Sequence, residues 1–237
     1  YMEHLVLIIG NGFDLDLGLP ARYSDFAKSY EWKELYSKYD FFIKDSTYGV
    51  NSLIAHLNKV SDEKNWFDIE EEIYNFVNNH PACTAPEAEN IMCDFEDLKK
   101  SLSAYLTRVA KEFKADQNRL AWVLMHLLEE CPMTKNLIYF NYTRCYHLVG
   151  LTYHLLESAA TFTDVHVSLE NGDFVLGCDL HPGDKVNRQL SFMYKYNMVK
   201  HSNYIVKNLM TAKEITFFGH SVNEMDFGYF RQFFEVV

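Results

Sequence analysis

The sequence has no Cys-x-x-Cys pair, and its five cysteines (Cys83, Cys93, Cys131, Cys145 and Cys178) are widely spaced and odd in number. That pattern indicates neither a structural zinc site nor a disulfide framework, so no metal is expected and reduced thiols in a cytoplasmic protein fit best. No apolar run approaches the roughly 20 residues that a membrane helix needs. The apolar stretch at the start is only Leu5 to Ile9. A soluble, unsecreted protein with no membrane partner is the expectation. Positive charge is also scarce, with 22 Lys and Arg against 33 Asp and Glu and a net charge of −11. Nucleic acid is therefore a poor candidate partner, because binding a phosphate backbone calls for a basic face.

What the chain has in quantity is apolar and aromatic side chains. Hydrophobic residues make up 48% of 237 positions, enough for a sizeable core, and the 16 Tyr and 18 Phe are first of all core material. Length favours one domain over residues 2–237. Leu5-Val6-Leu7-Ile8-Ile9 is a short continuous apolar run, which is how a strand buried on both faces of a parallel sheet reads. The region from about 22 to 131 is then mostly helical. Ile69, Ile73 and Phe76 fall at helical spacing, Phe95, Leu98, Leu102, Leu106, Val109 and Phe113 make a long stripe, and Leu120, Val123, Leu124, Leu127 and Leu128 another that Pro132 closes.

Strand signals return at Leu137–Phe140, Val165–Val167, Phe174–Leu176 and Ile215–Phe218, with helical patterns around 144–157, 203–212 and 224–234 between them. Asn171-Gly172 suggests a hairpin turn. The fold class expected is α/β, a three-layer Rossmann-like parallel sheet with a mostly helical insertion after the first β-α unit.

Chemistry is expected at the strand ends. Gly10-Asn11-Gly12, which closes the first strand, is either a tight turn or a phosphate-binding loop, since glycines let backbone N–H groups approach an anion beside a helix N-terminus. The third glycine of a dinucleotide fingerprint is absent from its usual place, and Gly18-Leu19-Pro20 arrives later. Asp14 lies close behind the turn, where it can hydrogen-bond a ribose hydroxyl or hold a water. Ser221 either meets a ligand oxygen or caps a following helix with Glu224. Asp68, Glu70, Glu71 and Glu72 cluster at a helix start, read first as a solvated face and only second as a metal site.

Taken in order, Gly10-Asn11-Gly12-Phe13-Asp14, Gly18-Leu19-Pro20 and Tyr23-Ser24-Asp25-Phe26 resemble the opening of the AbiH family of bacteriophage abortive-infection proteins. They also look like a diverged sirtuin opening, Gly-Ala-Gly, a short spacer, Gly-Ile-Pro and Asp-Phe. Trp66-Phe67-Asp68-Ile69-Glu70, Phe140-Asn141-Tyr142-Thr143 and Phe218-Gly219-His220-Ser221-Val222 with Asp226 and Tyr229-Phe230 resemble later elements of the AbiH pattern, in its order.

The resemblance implies a sirtuin-like domain that binds NAD, or a related nucleotide, across the carboxyl ends of a parallel sheet. It implies antiphage defence, with cleavage of the nicotinamide–ribose bond as the activity. By position it gives Asn141 and His166 catalytic roles and assigns ligand contacts to Gly10, Asn11, Gly12, Phe13, Asp14, Gly219, His220 and Ser221. The residue types suit that chemistry. An oxocarbenium-like centre needs one polar group to orient water and another to accept a proton, and histidine titrates near neutrality. A histidine within an apolar strand is equally a satisfied core residue. Two departures from the sirtuin pattern stand out: Val167 replaces the glycine of its His-Gly pair, and Thr143 an acidic residue. The alternative reading is a non-catalytic nucleotide sensor whose helical region binds a protein partner or a phage-derived trigger.

Overall fold

The computed structural model describes residues 4–44, 51–63, 68–144, 160–166, 174–181, 183–195, 202–222 and 226–236. The chain divides into two compact units. The first comprises Tyr1–Ala21, Arg108–Phe174 and Val199–Val237, the second Arg22–Thr107 and Val175–Met198.

The first unit holds the sheet. Strands β1 (His4–Ile9), β2 (Thr134–Tyr139), β3 (Ala160–Asp164) and β4 (Glu214–Phe218) lie in the order β3-β2-β1-β4, every pair parallel. The registers His4↔Thr134 and Leu5↔Glu214 put β1 at the centre. Its residues are buried on both faces, which is why its sequence reads as a continuous apolar run rather than an alternation. Alternate side chains serve opposite layers. Leu5, Leu7 and Ile9 pack with Leu137 and Tyr139 against helices α1 (Asn11–Leu17) and α7 (Leu120–Glu130). Val6 and Ile8 pack with Ile138 and Phe140 against helix α8 (Ser202–Thr211) and the Tyr229–Phe230 segment before α9 (Arg231–Phe234). The result is a helix-sheet-helix, Rossmann-like sandwich. The expected α/β class with a parallel core is the one seen.

Between α1 and α7 every described element is helical: α2 (Tyr23–Phe26), α3 (Tyr30–Ile43), α4 (Leu53–Glu63), α5 (Ile69–Asn78) and α6 (Ala85–Glu112). The predicted stripes are buried on α5 and α6, including Ile73, Phe76, Phe95, Leu98 and Leu102. Within the second unit, Lys195 and Glu70 form an internal ion pair at 2.7 Å, with side chains only 1% and 8% exposed.

Several expectations need correction. The strand predicted at Val165–Val167 lies earlier, over Ala160–Asp164, and Val165 and His166 follow its end. This strand is at the sheet edge, and an edge needs no apolar run, so its Ala-Thr-Phe-Thr-Asp sequence hides it. Phe174–Leu176 forms no strand. The segment is buried, and among the described residues the pairing nearest to it is one parallel bridge between Cys178 and Tyr194 in the second unit. Burial alone makes a run apolar, whether or not its backbone joins a ladder. On α7 the core face is Ala121, Met125 and Leu128, while Leu120, Val123 and Leu127 are exposed.

The acidic cluster is no solvated face either. Asp68 caps α5 through the Glu70 N–H at 2.9 Å, Glu70 meets Lys195, Glu72 lies 3.3 Å from His56, and only Glu71 is exposed. The Asn171-Gly172 turn, the 145–157 part of the predicted helix, Trp66, Phe67 and Glu224 lie outside the described residues. Among the described residues no helix is long and apolar enough to cross a membrane.

Candidate functional site

All four strands deliver their C-terminal ends to the same edge of the sheet. The chain order 3-2-1-4 reverses direction beside β1, and such a switch point opens a crevice at the strand ends of α/β folds. The loops found there carry Gly10-Asn11-Gly12 after β1, Phe140-Asn141-Tyr142-Thr143 after β2, Val165-His166 after β3 and Gly219-His220-Ser221 after β4.

The glycines hold the β1 and β4 loops against each other. The Gly10 N–H donates to Phe218 O at 3.0 Å, the Gly12 N–H to Gly219 O at 2.8 Å and the Phe13 N–H to Gly10 O at 2.9 Å. A Cβ on Gly10 would stand 2.5 Å from Gly219 O, and one on Gly12 would stand 2.6 Å from Gly219 Cα. Glycine is therefore required here by backbone meeting backbone, and those three N–H groups already have acceptors. Gly18 has a separate task. With φ of 97° it ends α1 in the left-handed region, and the Leu19 N–H returns to Asp14 O at 2.9 Å.

Other predicted residues divide between core and rim. Phe13 is fully buried with its ring edge-on to Phe218 at 5.4 Å, so its side chain serves the core. Asn11 is exposed and its amide donates to Ala21 O at 3.1 Å. Ser221 is exposed, and Gly219 adopts φ of 67°.

The polar interior of the site begins at Asp14. Its carboxyl is buried and accepts a hydrogen bond from the Thr143 hydroxyl, joining α1 to the loop after β2. Burial pushes its pKa up to about 7, against the opposing influence of Thr143 and of the neighbouring Asn141 amide. Asn141 itself is 4% exposed, and neither atom of its amide meets a hydrogen-bond partner in good geometry among the described residues; nor does the second oxygen of Asp14. Buried amides are nearly always satisfied, so an amide whose bonding is incomplete beside a carboxyl is a place where a ligand or water can complete the set.

The raised Asp14 value has a thermodynamic consequence. A carboxyl whose pKa is higher folded than unfolded adds stability that is fully present below the unfolded value near 3.8 and is lost as pH rises to about 7. The loss is on the order of 4 kcal/mol at about 1.4 kcal/mol per unit. Wild type is therefore expected to lose stability relative to Asp14→Asn between those limits, and urea unfolding across pH measures the difference. Parallel curves for the two proteins would show that Asp14 is not held in its buried state.

A second cluster sits at the ends of β3 and β4. The Nε2 atoms of His166 and His220 each lie 3.5 Å from one oxygen of Asp226. All three side chains are largely buried. The Phe140 ring stands edge-on to both imidazoles, at 5.6 Å from His166 and 4.3 Å from His220. Sequence reasoning did not number Asp226 among the site residues, although it stands in the closing motif. Its spacing from His220 gave no sign that the carboxylate turns back between two histidines. Thr143, noted only as a departure, proves to be the partner of Asp14.

The arrangement provides a buried amide and a proton-holding carboxyl in one place and an imidazole–carboxylate–imidazole group in another, all in the first unit, with Asp14 on α1 and the other side chains on segments that follow strands. It brings together Asn141 with Asp14, and His166 with His220. Ser221 and Asn11 remain at the surface. A family model described as bacteriophage abortive infection AbiH matches residues 6–237. No curated protein and no solved structure matches the chain.

Proposed function

Since the chain belongs to the AbiH family of bacteriophage abortive-infection proteins, we propose that it acts in phage defence by binding NAD, or a related nucleotide, at its strand ends and hydrolysing the nicotinamide–ribose bond. The observation that carries this reading is the buried Asn141 amide beside Asp14 at the carboxyl end of the sheet, with no partner in good hydrogen-bond geometry among the described residues. A crevice at that edge is where α/β sheets take nucleotides. The filled glycine loops bear on how a ligand is held. With the Gly10, Gly12 and Phe13 N–H groups engaged, side chains rather than that backbone supply the polar contacts.

In the reaction the bond between nicotinamide nitrogen and ribose C1′ breaks, water adds at C1′, nicotinamide leaves neutral, and one proton is released. Asn141 orients the water or a ribose hydroxyl, and His166 accepts the proton. Asp14 supports the Asn141 side of the site and, near pH 7, exists in both charge states.

Purified protein incubated with NAD, with and without extract from phage-infected cells, is expected to release nicotinamide. Asn141→Ala and His166→Gln are each expected to lower the rate at least about tenfold. Release that neither substitution changes would remove these residues from the reaction. Calorimetric binding of NAD with no release under any trigger would instead favour a non-catalytic sensor, and absence of binding would overturn the nucleotide reading.

A further inference from the structure

We infer that the outer face of α7 is a self-association surface, on which two copies of this chain pair their α7 helices antiparallel about a two-fold axis. The inference concerns a surface of the first unit and does not rest on the chemistry at the strand ends.

Helix α7 is apolar on two faces. Ala121, Met125 and Leu128 are buried in the core that β1 and α1 share. Leu120, Val123 and Leu127 are 64%, 42% and 60% exposed. At about 100° per residue these three fall within an arc of roughly 60°, so they form one stripe and not scattered surface residues. Their spacing of three and then four positions is that of a helix–helix seam. A helix whose inward face is already apolar has no need of a second apolar face toward water. Single exposed apolar residues are ordinary, whereas a continuous stripe marks a surface that another protein covers.

The charges beside the stripe select a second copy and set its direction. Arg119 precedes α7 and Glu130 ends it, and both are exposed. Their separation (130 − 119) is about three turns, which puts them on the same flank of the stripe, roughly 16 Å apart along the axis. In an antiparallel pair like flanks face each other. With Leu120 of one copy opposite Leu127 of the other, each Arg119 comes within about 3 Å, along the axis, of Glu130 of the second copy. An extended guanidinium spans that offset. Its Nε donates to Asp116 at 3.1 Å, which uses one of the five N–H donors of the fork. A parallel pair would set Arg119 against Arg119 and Glu130 against Glu130, an arrangement that like charges oppose.

The helix ends agree with the antiparallel order. α7 closes on Glu129 and Glu130 with no basic residue in its last turn, and no acidic residue stands in its first. Carboxylates at a helix C-terminus meet the negative end of the dipole, and an antiparallel neighbour brings an arginine beside them. The Ala121 N–H at the start of α7 donates to Asp16 of α1 at 2.8 Å, so Arg119, and not that amide, meets the incoming carboxylate. Exposed ion pairs are individually weak, so the stripe supplies the attraction and the charges the register. One helix face lies at the small end of interface sizes, which makes the dimer reversible and concentration dependent.

Sedimentation velocity of the full chain from about 1 to 200 µM is the test, and wild type is expected to pass from monomer to dimer across that range. Leu127→Glu should weaken association at least about tenfold. Arg119→Glu should weaken it about threefold to tenfold, and Arg119→Glu/Glu130→Arg, with the charges exchanged, should return to within about threefold of wild type. These positions are exposed, so circular dichroism separates loss of association from loss of fold. Direction is read from disulfide formation between copies under oxidation. Val123 lies next to the two-fold axis, whereas each Leu120 is roughly 10 Å along the axis from its counterpart, so Val123→Cys should cross-link and Leu120→Cys should not. A wild type that is monomeric throughout would overturn the proposal and leave the stripe to a different protein. Association that the charge exchange fails to restore, or Leu120→Cys cross-linking as readily as Val123→Cys, would overturn the antiparallel pairing.

Discussion

Gly219→Ala is expected to destabilise the protein by more than about 4 kcal/mol, in the range where single substitutions become exceptional and a large part of total stability is lost. A Cβ at this position would fall 2.2 Å from the Phe13 nitrogen and 2.5 Å from the Gly12 carbonyl carbon, and φ is 67°. Both obstacles are backbone, so no rotamer change relieves them. Gly18→Ala is the control. It has the same unfavourable sign of φ, at 97°, but its Cβ would meet nothing nearer than a Phe113 ring carbon at 3.9 Å. Its cost should be only the left-handed penalty of about 1–2 kcal/mol. Denaturant unfolding separates the two. A Gly219→Ala protein within about 1 kcal/mol of wild type would mean that the β1 and β4 loops do not meet as described.

The second large effect belongs to the other unit. Lys195→Met removes the ammonium from a pair in which both side chains are nearly inaccessible, and leaves the Glu70 carboxylate inside. Breaking a buried pair from one side costs about 3–5 kcal/mol, whereas replacing both partners by apolar groups of similar volume is often neutral or better. The expected outcome is therefore a strongly destabilised Lys195→Met, with most of the loss recovered in Lys195→Met/Glu70→Leu. A double-mutant cycle in urea measures the coupling. A double variant as unstable as the sum of its singles would show that the two charges act independently.

What the sequence made legible follows from how strongly each element is constrained. β1 and β2 are readable because strands inside a parallel sheet need apolar runs, β4, an edge strand like β3, because Ile215, Phe217 and Phe218 pack against the cores on both faces, and the stripes on α5 and α6 because a buried helix face repeats every 3.6 residues. β3 was not readable, since an edge strand of Thr-Phe-Thr is weakly constrained, nor was the unpaired state of 174–176, since burial and pairing leave the same composition. The segments of Gly10, Asn141 and Gly219 are legible as following strands, whereas His166, read as lying within a strand, follows the end of β3. What no local pattern encodes is which side chains meet across them: Thr143 with Asp14, or Asp226 between His166 and His220. The glycines had two physical explanations in sequence. Backbone packing between loops accounts for both Gly10 and Gly12.

The central place of β1 also sets the order of events during synthesis. Its partners are supplied far downstream, Thr134 for His4 and Glu214 for Leu5. At about 5–20 residues per second the ribosome needs roughly 10–40 s between making β1 and making β4. For that time Leu5-Val6-Leu7-Ile8-Ile9, the most apolar strand of the sheet, has no ladder to join on its β4 side. Nearly all of the sheet's pairing is long-range, which makes folding slow and leaves this segment exposed to pairing with other chains. Yield in cells is therefore set by how the nascent chain is shielded as much as by the stability of the finished fold.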